Sequence, residues 1–199
     1  MRNIIFGLAI VATTLVVTKS TTKSTESLNL SISAHSISTT ENVKFTTSPV
    51  TDAKNTVSIK EILTAYLQMK NAFTEDNSTG AATAGKKLEA SFKNFDKSAL
   101  TDAQKKTYED VEADAREHAE HIGANGGNIA HQREHFELLS KDIYDLVKAF
   151  GGGQVLYRDF DSMYNKGKGA YWLSETKEIK NPYMGKAMLT SGSIKEEIK

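Results

Sequence analysis

Apolar residues recur at three- and four-residue steps through four successive stretches of the chain and then fall into a shorter, weaker period. Ile59, Ile62, Leu63, Tyr66, Leu67 and Phe73 share one helical face and predict a first helix ending near Thr74. Ser58 followed by Glu61 has the spacing of a capping box, and Val57 can staple onto Ile62. The run Asp76-Asn77-Ser78-Thr79-Gly80 is expected to break that helix. A second then follows on Ala81, Ala84, Leu88, Phe92 and Phe95, with a narrow face of small residues. Thr101 to Gln104 is another capping box, and Tyr108, Val111, Ala115 and Ile122 continue a third helix to Gly123. After the turn Gly123–Asn128, with Asn128 as cap, a fourth helix carries Ile129, Phe136, Leu139, Ile143 and Leu146, and Gly151-Gly152-Gly153 stops it. Short connections between helices imply antiparallel neighbours. The expected fold class is therefore mainly α, an up-down four-helix bundle over residues 56–153.

Residues 154–199 read differently. Val155, Tyr157 and Phe160 approximate strand spacing, Ala170-Tyr171-Trp172-Leu173 is a second strand candidate, and Asn181-Pro182-Tyr183-Met184-Gly185 is punctuated by proline and glycine. A small irregular or β C-terminal cap, packed on the bundle as part of the same domain, is expected, with Trp172 and Tyr183 as anchors. The Lys-rich stretch from Lys166 onward reads as solvated surface.

Ahead of the helices, Met1-Arg2-Asn3 carries one positive charge, and Ile4 to Val17 is almost wholly apolar. That run is shorter than the roughly 18 residues of a membrane-spanning helix, so residues 1–20 are read as a signal peptide. No stable membrane insertion is expected after cleavage, and the location is periplasmic or secreted. Residues 21–55 are crowded with Ser and Thr and are read as a disordered linker, in which Leu28 to Ile37 alternates briefly. The chain has no cysteine, which excludes disulfides, thiolate metal sites and thiol catalysis. Lys plus Arg and Asp plus Glu balance at 25 each, without a basic, aromatic-interleaved block, so nucleic acid is not an expected partner.

The candidate chemistry lies in histidine. Of five in the chain, four occur together: His118 and His121 near the end of the third helix, His131 and His135 near the start of the fourth. Spacings of three and four put each pair on one helix face, and a hairpin brings both pairs to the same end of the bundle. Imidazole nitrogens suit copper, zinc and nickel. At about 100° per residue His118 falls with Val111, Ala115 and Ile122, His135 falls beside Phe136 and Leu139, and His121 and His131 come out at the rims. His131-Gln132-Arg133-Glu134-His135 also matches the H-x-x-E-H pattern of inverted zincins. That pattern needs a third protein ligand from elsewhere and a substrate cleft, so no enzyme is expected. Met163, Met184 and Met188 lie in the tail, and thioether sulfur favours copper(I).

Several stretches together resemble a bacterial domain of unknown function, found alone behind export signals and appended to copper- and silver-efflux periplasmic adaptor proteins. They are His118-Ala119-Glu120-His121-Ile122, His131 to Glu137, Gly169-Ala170-Tyr171-Trp172-Leu173-Ser174, Asn181 to Gly185, and Met188-Leu189-Thr190-Ser191-Gly192. The resemblance runs from about Ile59 to Ile198. It implies a periplasmic helical domain concerned with heavy metals, chiefly copper. The family often has Cys-Pro-Met where this chain has Asp161-Ser162-Met163, and Leu-Thr-Cys-Gly where it has Leu189 to Gly192. Any soft-metal affinity here must then rest on histidine and methionine.

The expected function is an exported envelope domain that binds a transition-metal ion for buffering or efflux. Copper is the first candidate and zinc the alternative, no organic cofactor is called for, and the candidate ligands are His118, His121, His131, His135 and Met163. An envelope efflux or metal-handling protein is the expected partner. The alternative is a metal-free protein-interaction module whose contacts centre on Trp172, Pro182 and Tyr183.

Overall fold

The computed structural model describes residues 58–199. The expected signal peptide, the linker and Val57 lie outside the described residues. Four helices come first: α1 (Lys60–Thr74), α2 (Ser78–Lys93), α3 (Asp102–Ala124) and α4 (Ile129–Phe150). The most extensive helix contacts are between neighbours in sequence. The tail forms β1 (Leu156–Asp161), β2 (Ala170–Ser174) and β3 (Ser193–Ile198), an antiparallel sheet in the order β2-β1-β3. The protein is thus mainly helical with a small C-terminal three-stranded sheet, and β2 lies against α4.

The helix ends show which local signals operate. Thr101 and Gln104 cap each other at the start of α3, and Asn128 accepts from the His131 N–H to start α4. The first capping box does not form. Ile59 is the N-cap of α1, and Ser58 Oγ accepts from the next N–H but one, that of Lys60, at 3.2 Å. The expected break at 76–80 shrinks to the three residues between α1 and α2, because Asn77 Oδ1 accepts from the Gly80 N–H at 2.8 Å and starts α2 within it.

Small residues on α2 and α3 allow those two helices to cross closely. A Cβ on Gly85 would lie 2.8 Å from the Ala119 carbonyl oxygen and 2.9 Å from the Gly123 nitrogen, inside any normal contact distance. This crossing also decides which face of α3 is inward. The buried stripe is Tyr108, Val111, Ala115, Ala119 and Ile122. His118 is only half-buried and is displaced to the α3–α4 seam, not in the apolar stripe where simple rotation placed it.

The sheet is held on the helices by buried side chains. Tyr66 on α1 shares a hydrogen bond with Ser140 on α4 at 2.9 Å and accepts from the Leu173 N–H at 3.0 Å. Tyr183 is buried with its ring against Tyr164, Phe136 and Trp172. Lys70, also buried, pairs with Glu175 at 2.8 Å. The lysines of the tail lie mostly at the surface, as expected, and a third strand runs among them. Ser193–Ile198 carries mostly exposed polar residues, but its backbone pairs with β1 and its last residue, Ile198, is buried. Trp172, Pro182 and Tyr183 are all buried, so they serve the protein's own core and are not an exposed docking face.

Candidate metal centre

The α3–α4 turn brings the two histidine pairs together. Gln132, fully buried, donates from Nε2 to the Ile122 carbonyl at 2.9 Å and to the Ser78 carbonyl at 3.1 Å. The Ser78 hydroxyl donates to Gln132 Oε1 at 2.7 Å and accepts from the Gly127 N–H at 2.6 Å. One side chain therefore satisfies a carbonyl in the last turn of α3, binds the start of α2 and fixes the register of α4 on both. Arg133 beside it reaches the other way. Its guanidinium donates to the Phe73 carbonyl at 2.9 Å, to Asp76 at 2.7 Å and to the Pro182 carbonyl at 2.7 Å, which ties α4 to the end of α1 and to the tail. These two residues were not singled out as positioning groups from sequence. Their signal is only that they are the polar interior of the His131–His135 segment.

With the register set, the four histidine rings form one cluster around His135. His121 stacks on His135 with centroids 4.4 Å apart, His131 meets His135 edge-on at 4.7 Å, and His118 lies 5.4 Å from His135. His121, His131 and His135 each offer a ligand atom, and these atoms all lie within 4.8 Å of one another. His118 Nδ1 and His135 Nδ1 are 3.2 Å apart and share a proton. His135 is the common member, since it touches each of the other three.

The electrostatics favour neutral rings at the centre. Burial, first, and then the neighbouring His121, His131 and His118 hold the His135 imidazole below its ordinary value of 6.5. Burial likewise lowers His118, with Glu117 and Asp114 opposing. A neutral imidazole keeps a lone pair for a metal, whereas a protonated one has none. Carboxylates flank the outer rings: Glu134 Oε2 lies 3.4 Å from His131 Nδ1, and Glu117 Oε1 lies 4.0 Å from His121 Nε2.

His121 provides the third donor that the H-x-x-E-H pattern lacks locally. Glu134 is exposed and leans on His131, and the groove it helps to line runs along α4 toward Tyr164 and Tyr183, away from the four histidines.

Met163 is placed elsewhere. It follows β1 with its side chain 47% exposed, and its neighbour Asn165 donates to Glu137 at 3.1 Å. Glu137 is two residues past His135, about 200° around α4 at 100° per residue, so the Met163 loop is tied to the opposite flank of that helix.

Residues 62–154 match the family model described as a protein of unknown function (DUF3347). The match runs from the first turn of α1 to just past α4, so it contains the four clustered histidines and stops short of the sheet. No curated protein and no solved structure matches the chain.

Proposed function

We propose that this chain is an exported envelope domain that holds one transition-metal ion, copper(II) first and zinc(II) second, on His121, His131 and His135. The observation that carries the reading is the convergence of three imidazole donor atoms within 4.8 Å of one another, from two helices whose register is locked by Gln132. Nitrogens on a shared tetrahedral ion, at metal–nitrogen distances of about 2.0–2.1 Å, stand roughly 3.3 Å apart. The three rings close that gap by side-chain rotation of an ångström or so, which half-exposed histidines can make without moving either helix. His118 acts through His135. A proton shared between the two Nδ1 atoms fixes the His135 ring and leaves its Nε2 for the ion, the role that an outer hydrogen-bond partner commonly plays at metal sites.

Such a site binds and does not catalyse. It sits near the surface, where an open coordination position lets an ion enter and leave, which suits buffering or hand-over to an efflux or other metal-handling protein. The up-down arrangement of α1 to α4 would serve to hold the α3–α4 hairpin rigid. Export rests on the apolar run Ile4 to Val17, and copper rests on the family resemblance together with the imidazole donor set.

Titrating the full chain with copper(II) and with zinc(II) tests the proposal. One ion per chain should bind, His135→Ala should abolish tight binding, and His118→Ala should weaken it about 10- to 100-fold, as the loss of an outer partner does. Binding no tighter than that of a variant with all four histidines changed to alanine ends the metal reading. A metal-free interaction module then becomes the better account, and the exposed Tyr171 and Ile194 are the side chains for it to use.

A further inference from the structure

A bulge in β3 turns an extra side chain onto one face of the sheet. Consecutive residues Arg158 and Asp159 of β1 pair with Glu196 and Ile194 of β3, so Lys195 is the additional residue between them. A bulge re-aims its side chain relative to the plain alternation of a strand. Lys195 Nζ lies 5.6 Å from the centre of the Phe160 ring, on the face that Phe160 shares with Tyr171 of β2. The Phe160 and Tyr171 ring centres are 4.5 Å apart. Arg158 continues the row, its guanidinium 4.1 Å from the Tyr171 ring centre and 3.9 Å from that of Tyr144 on α4. The sequence scattered these groups over α4 and three strands; the fold sets cations and rings in one alternating row.

The charge of this row is left open at two places. Glu196 accepts from the Tyr144 hydroxyl at 2.8 Å and from Lys148 at 2.9 Å, so its carboxylate is spent on fixing Tyr144 and neutralising Lys148. Arg158, by contrast, makes no hydrogen bond or ion pair among the described residues, and its Nε is buried without a partner. Lys195 is exposed and also has no ion pair among them. A guanidinium held against aromatic rings keeps its planar fork in place for two parallel hydrogen bonds to a carboxylate.

We propose that the face carrying Arg158 and Lys195 docks an acidic, extended segment of a partner protein, with one carboxylate at each cation. The stacked rings of Tyr171 and Phe160 stand between the two cations, so a ligand must carry at least two negative charges to use both. Alternate residues of an extended chain project to the same side at about 7 Å intervals, which supplies such a row. The rings themselves disfavour a nucleic acid or a glycan. Each is already engaged, Tyr171 by Phe160 and Arg158, Phe160 by Tyr171 and Lys195, and Tyr144 by Arg158 and Lys148, which leaves little free ring face for a base or sugar to stack on. What Tyr171, 40% exposed, can still offer is its ring edge, the positive side of the aromatic quadrupole, which suits a carboxylate. Two open cations are also too few for an anionic bilayer, where clusters of about four to eight are used. The face is separate from the histidines and stands whether or not they bind metal.

A capped hexaglutamate peptide is the probe, titrated into the nitrogen-15-labelled full chain and followed by two-dimensional NMR. Amides of β1, β2 and β3 should shift together and saturate, and the affinity should fall as salt is raised. Lys195→Gln, at an exposed position and therefore compatible with folding, should weaken binding at least 10-fold. Arg158→Lys, which keeps the charge and removes the fork, should also weaken it. Lys105→Gln on α3 and the variant with all four clustered histidines changed to alanine should bind as the parent does. Shifts that never saturate or that centre away from the sheet, or an affinity unchanged in Lys195→Gln, would each overturn the proposal. Binding of a thymidine oligonucleotide or of phosphatidylglycerol vesicles as tight as that of the peptide would overturn the assignment to an acidic protein segment.

Discussion

Asp159 offers a sharp quantitative test of how the sheet is seated. It lies on β1 opposite Trp172 of β2, fully buried, and neither carboxylate oxygen has a hydrogen-bond partner among the described residues. Burial raises its pKa from 3.8 to about 7, opposed only by the charge on Lys70, which is itself engaged with Glu175 at 2.8 Å. Between these two values the native protein holds a proton that the unfolded chain has released. Stability contributed by this residue therefore falls as pH rises through that window and is fully lost above it. At about 1.4 kcal/mol per pKa unit the shift corresponds to roughly 4 kcal/mol at pH 8, and to about half that once water penetration and local relaxation are allowed for. Asp159→Asn keeps the shape and removes the charge. It should be more stable than the parent by about 2–4 kcal/mol at pH 8 and within about 1 kcal/mol of it at pH 4, where the native Asp159 carboxyl is protonated and its unfolded counterpart is only a little over half ionised. For a chain of this size 1 kcal/mol moves the melting temperature by about 2–4 °C, so thermal melts followed by circular dichroism at the two pH values resolve the difference. A substitution effect that is equal at pH 8 and pH 4, or a variant less stable at pH 8, would refute the reasoning.

Three further outcomes follow from the contacts. Gln132→Ala leaves the Ile122 and Ser78 carbonyls without their donor and should cost about 2–4 kcal/mol in urea denaturation; it should also weaken copper(II) binding in titration although no ligand is touched. Asn181→Ala removes the donor to buried Asp161 and the acceptor for the Tyr183 and Met184 N–H groups, and should cost at least about 3 kcal/mol by the same measurement. Gly85→Ala forces a methyl against the Ala119 carbonyl of α3 and should cost about 1–3 kcal/mol, detectable as a lowered melting temperature.

The chain's own pattern determined the four helices, because each carries a local period of apolar residues and most carry their own cap or stop. Thr101 with Gln104 and Asn128 act within one turn of themselves, and no distant residue is needed to read them. The meeting of His121, His131 and His135 was legible for the same reason, since a short turn between two helices leaves their facing ends nowhere else to go. Tertiary structure decided the rest. Which face of α3 turns inward depends on Gly85 of α2 admitting Ala119, and that crossing carries His118 out of the core to share a proton with His135. The strand Ser193–Ile198 exists because β1 offers it an edge; its exposed, charged residues carry no apolar alternation to announce it. Ser58 had the residue type and spacing of a cap, but helix α1 starts where Ile59 is buried, so packing overrode the local signal. Asp161, Asn181 and Ser191 are far enough apart in sequence that only the folded tail could bring them into one network.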